Sequence, residues 1–241
     1  MLLLAIESAT ESVGVSVATE AGLLATVTVE RGRRHAESLT PAIEFACRQA
    51  GVAPRELDVV AVDVGPGLFT GLRVGVGTAK ALAFAVGIPV VTATSLEILA
   101  GAVLGTGTAA GRDVVAVVDA RRGEVFWARF RAGPGEVRRV GEERLGPPPE
   151  LVADLAGGDP ALLVGDGARR YRDDLSGTGE LLGGPLLAHP PVAVLAGLGL
   201  DRMARDLGQP AAAVVPHYLR DADARINWEQ RIAPRPVEAP S

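Results

Sequence analysis

Three acids stand where apolar runs give way to small residues: Glu7 in "LLLAIES", Asp63 in "VVAVDVG" and Asp119 in "VVAVVDA". Carboxylates at strand ends can orient metal and phosphate, so Glu7 and Asp119 could mark a vestigial nucleotide cleft. Acids in such places are also ordinary turn formers. The second candidate is "VGPGLFTGLRVGVGTAKALA", residues 64–83. A phosphate loop needs GxxxxGK[ST], and a dinucleotide loop needs GxGxxG with an acid about 20 residues on. Gly65, Gly67 and Gly71 miss the third spacing, and Glu97 lies too far along. A strand-loop-helix junction can still offer amide groups to an anion. Gly65, Pro66 and Gly67 equally make a tight structural turn, since glycine takes φ > 0 at little cost. The turn is the preferred reading.

The three histidines, His35, His189 and His217, form no HExxH or other short metal pair. "HAES" supplies one histidine and no second ligand a helical turn on, so His35 reads as a helix-start residue. No GxSxG elbow is present, and Cys47, inside an apolar helical pattern, has no basic neighbour to activate it. "GDGARR" (165–170) is only a weak candidate for an adenine loop. The expected set of catalytic residues and of metal ligands is therefore empty.

The helix after the Gly-Pro-Gly turn carries a different signal. Gly71, Gly75, Ala79 and Ala83 recur every four residues and form one ridge. Glycine inside a helix costs roughly 0.5–1 kcal/mol against alanine. The ridge therefore implies that another backbone comes close, either the helix's own sheet or a partner helix, and spacing alone does not separate the two. Leu72 and Val76 lie beside the ridge, Arg73 and Lys80 mark a neighbouring face, and Leu68 and Phe69 stand apolar on the entry loop.

These residues need a scaffold. Leu2-Ser8, Val13-Thr19 and Gly22-Glu30 read as a three-strand meander. A helix follows within His35-Gly51, with Leu39 and Ile43 on its apolar face. It starts either at Thr40-Pro41 or near Ala36 with Pro41 inside. Leu57-Gly65 is a strand, the 64–83 stretch a loop and helix, Val90-Thr94 a strand, and Ser95 the cap of a third helix. After a Gly/Thr/Ala joint at 105–111 the theme returns: Ile6-Glu7-Ser8 can be laid on Val118-Asp119-Ala120, and Val13-Val17 on Val125-Arg129. A third strand at Glu136-Arg144, a helix at Glu150-Ala156, a strand at Ala161-Gly165 and a helix at Val192-Leu207 complete it. The fold class expected is α/β, with two RNase H-like lobes of the actin/hexokinase type and mixed sheets flanked by helices. Residues 1–106 form the first lobe and 107–225 a degenerate second lobe, whose last helix can pack back on the first. Residues 226–241 read as a mobile tail.

The chain has 241 residues, a net charge of −5 and 4% aromatics, which disfavours a stand-alone nucleic-acid binder. One cysteine allows no internal disulfide and fits a reducing, cytoplasmic setting. No apolar stretch approaches membrane-spanning length, and the N-terminal run reads as a strand rather than a signal peptide.

"LLAIESATESVGVSV", "RRHAESLTPAIEFAC" and "DVGPGLFTGLRVGVGTAKALAFAVGIPVVTATSLE" resemble the bacterial TsaB (YeaZ) family, as do "VVAVVDARRGEVFWARF" and "PHYLRDADAR". The likeness is strong over residues 1–130 and looser beyond. It implies a two-lobed actin-like subunit without its own catalytic site. Such a subunit supports a related TsaD-type enzyme that places threonylcarbamoyl on the adenosine beside the anticodon of tRNAs reading codons that begin with A. A TsaE-type P-loop ATPase joins the complex, and tRNA is met only through it. The resemblance implies docking by the two first-lobe helices, here placing His35, Leu39, Ile43, Leu68, Phe69, Gly71, Leu72, Arg73, Gly75, Val76, Ala79, Lys80 and Ala83 at the partner. The chain departs from the family at Glu7, where aspartate is common, and this argues against a working metal-phosphate site. No cofactor of its own is expected, although a nucleotide at the subunit interface is compatible with this reading. A helix face that pairs with a paralogue can also pair with itself, giving a homodimer when the partner is absent. Two other readings stay open: a nucleotide-dependent phosphotransferase of the sugar-kinase type, and a glycopeptidase-like metalloenzyme.

Overall fold

Two five-stranded sheets of identical order carry the chain. The computed structural model describes residues 1–220 apart from 31–33, 105, 106, 108, 110, 134, 135 and 183. The tail expected at 226–241, and part of the joint at 105–111, lie outside the described residues. The first sheet is built from β1 (Leu2–Glu7), β2 (Val13–Thr19), β3 (Gly22–Val29), β4 (Val59–Asp63) and β5 (Val90–Ala93), with α1 (His35–Ala50), α2 (Phe69–Val86) and α3 (Ser95–Leu104) between or after them. The second uses β6 (Val114–Arg121), β7 (Glu124–Gly133), β8 (Glu136–Gly146), β9 (Ala161–Val164) and β10 (Gly179–Leu181), with α4 (Pro148–Leu155), α5 (Asp166–Arg170) and α6 (Val192–Ala204). Their orders, β3-β2-β1-β4-β5 and β8-β7-β6-β9-β10, superimpose element by element. In each, three antiparallel strands are followed by two parallel ones. These are two RNase H-like lobes of the actin/hexokinase type.

β1 is buried on both faces, which is why it reads as a continuous apolar run. Leu4 and Ile6 point into the core under α1 and α2, and Leu3 and Ala5 into the opposite core. The second half of each lobe exchanges a helix with the other. α3 sends Leu96, Leu99, Ala100 and Val103 into the core of the second sheet. α6 sends Val192, Leu195 and Ala196 against Leu3 and Ala5 of the first. The boundary expected after residue 106 therefore divides the sequence but not the packing.

α1 begins at His35 with Pro41 inside it, the second of the two starts left open. Gly51 ends it at φ 70°, where Val52 N–H reaches back to the Cys47 carbonyl at 3.0 Å. The cap of α3 is Thr94 rather than Ser95: Glu97 N–H donates to Thr94 Oγ1 at 3.2 Å. The Ser95 hydroxyl is occupied elsewhere, donating to Asp63 at 2.8 Å. α4 starts at Pro148, before the expected Glu150. α5 has 5 residues where α2 has 18, so among the described residues the second lobe has no counterpart of the long helix. α2 also corrects the expectation about membrane length, since it is long and apolar enough by composition to cross a bilayer. Its apolarity serves the core instead: Leu72, Val76, Ala79 and Ala83 are buried within the first lobe.

Candidate interaction site and inter-lobe cleft

The small-residue ridge faces inward. A Cβ on Gly71 would fall 2.1 Å from the Ser8 carbonyl oxygen, and one on Gly75 2.1 Å from Ser8 Oγ. A Cβ on Gly67 would fall 2.1 Å from the Ala9 carbonyl oxygen. The backbone that comes close is thus the turn between β1 and β2. Three bonds tie that turn to α1, to α2 and to the residue before α2. Leu68 N–H donates to the Ala9 carbonyl at 2.6 Å, the Ser8 hydroxyl donates to the Gly71 carbonyl at 3.0 Å, and His35 Nε2–H donates to the Thr10 carbonyl at 2.6 Å. At the Gly65-Pro66-Gly67 turn Gly65 takes φ 102°, a conformation that glycine adopts at little cost.

Most residues expected at a partner are consequently interior. His35, Leu39, Ile43, Gly71, Leu72, Gly75, Val76, Ala79 and Ala83 are buried within this chain. They seat α1 and α2 on their own sheet, and Leu72 also reaches the wall of the cleft described below. Lys80 is also engaged internally, donating to the Val214 carbonyl at 2.7 Å and the Ala212 carbonyl at 3.4 Å. Phe69 and Arg73 remain outward, with the guanidinium 4.5 Å above the ring, and Leu68 is partly exposed. The outer stripe of α2 is Thr70, Arg73, Gly77, Ala81 and Phe84, one turn apart and all exposed. Phe84 is 86% exposed, and Phe45 on α1 stands out beside Arg48. Gly77, Ala81, Phe84 and Phe45 escape sequence reading, which follows the stronger glycine ridge. The signal was its complement, a second row at the same spacing.

The strand-end acids share one geometry. Glu7 accepts from Ala9 N–H at 2.8 Å, Asp63 from Gly65 N–H at 2.7 Å and Asp119 from Arg121 N–H at 2.9 Å, each two residues on. The Glu7/Asp119 correspondence thus extends from sequence pattern to hydrogen bond. Asp119 is further paired with Arg121 at 2.9 Å and Arg170 at 3.6 Å. Glu7 Oε2 and Asp63 Oδ2 are buried without a partner. Burial, with the charge of Asp63 added, raises Glu7 well above the usual carboxylate range. Burial also pushes Asp63 up to about 7, against the bonds from Gly65 and Ser95. Burial likewise raises Asp166, whose carboxylate accepts from Asp119 N–H at 2.9 Å.

A cavity of about 450 Å³ opens between the lobes, with Leu68, Phe69 and Leu72 on one side and Phe126 on the other. Two of its wall arginines are paired within the chain, Arg121 with Glu11 and Asp119, and Arg220 with Glu124. Among the described residues no cluster of three or more His, Cys, Asp or Glu could hold a metal ion. His35, His189 and His217 are not brought together. His35 is bonded to Thr10 and His217 to Glu143.

Repeated sheet order and a cleft between lobes define the class, a two-lobed α/β protein of the actin-like type. An activator of 2-hydroxyisocaproyl-CoA dehydratase from Clostridium difficile, solved with ADPNP, shares that fold with TM-score 0.54 over 86% of this chain and 97% of its own, at 9% identity. The TsaD family model, described as tRNA N6-adenosine threonylcarbamoyltransferase, matches residues 23–164. The tRNA threonylcarbamoyladenosine biosynthesis protein TsaB of Bacillus subtilis is 29% identical over 95% of this chain and 98% of its own length. YeaZ from Pseudomonas aeruginosa is 30% identical with TM-score 0.78, covering 90% of this chain and 99% of its own. The chain belongs to the TsaB (YeaZ) family.

Proposed function

We propose that this chain takes part in making N6-threonylcarbamoyladenosine in tRNA as the non-catalytic partner of a TsaD-type transferase. The observation that carries this reading is the use of the strand-end acids. Glu7, Asp63 and Asp119 hold turns of their own chain, and Asp119 is paired with two arginines. Family relatives named for threonylcarbamoyladenosine biosynthesis supply the pathway. A sugar-kinase reading needs those acids facing phosphate, and a glycopeptidase-like reading needs clustered metal ligands; no observation favours either.

The partner meets the outer stripe of α2, with Arg73, Gly77, Ala81 and Phe84, and the outward Phe45 of α1. Gly77 lets a second helix approach closely, and Phe84 supplies an apolar anchor. Phe69 and Leu68 border this surface at the start of α2. A TsaE-type ATPase joins the pair, tRNA is met through the complex, and a nucleotide is accommodated between subunits rather than in this chain's own cleft. Without partner, the same stripe pairs two copies. The setting is the cytoplasm, where tRNA is modified. The test is threonylcarbamoyladenosine formation on tRNA by the TsaD-type subunit of the same organism, supplied with TsaE-type ATPase, ATP and threonylcarbamoyl-adenylate. Product should form only when this chain is added. Equal product without it would defeat the reading.

A further inference from the structure

After α6 the chain does not end on one lobe. From Gln209 to His217 it is fastened to the first. Gln209 pairs in both directions with Val90 at 2.9 Å, on the free edge of β5. Val214 is buried in the first-lobe core, and Lys80 from α2 holds its carbonyl. His217 N–H donates to the Val64 carbonyl at 2.7 Å. From His217 onward the fastenings change lobe. The His217 ring bonds Glu143 on β8, and Leu219 packs on the core of the second sheet. Arg220 donates to the Ala120 carbonyl at 3.1 Å and pairs with Glu124 at the start of β7. Tyr218 lies between these attachments against Phe69, ring centroids 5.4 Å apart, over the inter-lobe cavity.

We infer that residues 209–220 are a clasp that, on top of the exchanged helices α3 and α6, narrows the angle between the two lobes to one setting. Two-lobed proteins commonly close by hinge motion around a ligand that touches both halves. Here a segment of the chain itself adds such two-sided contacts to the exchanged helices α3 and α6 and to the Arg121–Glu11 pair. Lys80, placed at the partner on sequence grounds, is the clasp's anchor on α2. The clasp therefore couples the orientation of α2 to the second lobe and presents the outer stripe in one fixed setting. A preformed surface of that kind loses less freedom on binding. This inference concerns the free chain and stands whether or not the partner proposed above is correct.

The test is the distance between spin labels at Glu20→Cys and Glu142→Cys, one exposed site per lobe, in a Cys47→Ala background. The parent should give one narrow distribution, and so should a chain ending at Arg220. His217→Ala with Arg220→Ala, which cuts only the second-lobe attachments, should at least double the width while circular dichroism stays unchanged. Glu143→Ala with Glu124→Ala removes the two acidic partners from the other side, leaves the Arg220 bond to the Ala120 carbonyl, and should broaden the distribution in the same direction. Unchanged widths in both pairs would overturn the clasp. Loss of folding in both pairs would also overturn it, because the segment would then be part of a lobe core. Broadening on removal of residues 221–241 alone would move the device out of 209–220.

Discussion

Gly75 sits so close to Ser8 that a Cβ on it would come within 2.1 Å of the serine hydroxyl oxygen, while Gly77, half a turn on, has nothing within 4 Å of its own Cβ position. The two glycines answer different demands of one helix. The first admits the β1–β2 turn, and the second leaves the outer face thin. Substitution separates them. Gly75→Leu should cost about 3 kcal/mol or more, because the neighbour is a turn held by three hydrogen bonds and cannot withdraw. Gly77→Leu should gain roughly 0.5–1 kcal/mol in an exposed helix position yet abolish partner binding. Urea midpoints and a pull-down of the TsaD-type subunit read both; equal stability loss in the two variants would refute the assignment.

Phe84→Glu should weaken partner association at least tenfold, about 1.4 kcal/mol, without moving the urea midpoint, since the ring is 86% exposed. Calorimetric titration measures the affinity. An unchanged value would remove Phe84 from the interface.

Asp63 gives stability a pH dependence. Its folded value of about 7 exceeds the ordinary aspartate value near 3.9, so the folded chain keeps a proton that the unfolded chain releases. Stability should therefore fall as pH rises from about 4 through about 7, and Glu7 adds a contribution of the same sign. Asp63→Asn retains an oxygen to accept from Gly65 and Ser95 and should flatten the profile between pH 5 and 8. Parallel profiles for parent and variant would contradict this.

Part of this was legible in sequence. The strand-acid-turn pattern at Ile6-Glu7-Ser8 and Val118-Asp119-Ala120 announced the duplication, because an acid ending a buried strand is a local feature. The i, i+4 ridge showed that something must approach α2, but helical spacing is blind to which side is the core. The direction depends on where Ser8 lies, a contact across 63 residues. The exchange of α3 and α6 and the 209–220 clasp are tertiary for the same reason. Both lobes' helices have apolar faces, and nothing local names the sheet they cover. Lys80, the chain's one lysine, stands out in the sequence, but its partners are two backbone carbonyls more than 130 residues away.

Cys47 should resist thiol reagents in the native chain, because it is buried and burial pushes its thiol up. Labelling at pH 8 should proceed only as urea unfolds the protein. Rapid labelling of folded protein would mean that the α1 face opens.

A partner subunit shows itself in the mass of the particles it forms in solution. Light scattering of the chain alone should give a dimer, and an equimolar mixture with the TsaD-type subunit should give a one-to-one complex that Phe84→Glu prevents from forming. Two species that elute separately at micromolar concentration, with the wild-type chain folded, would mean that the chain is no partner of the TsaD-type subunit.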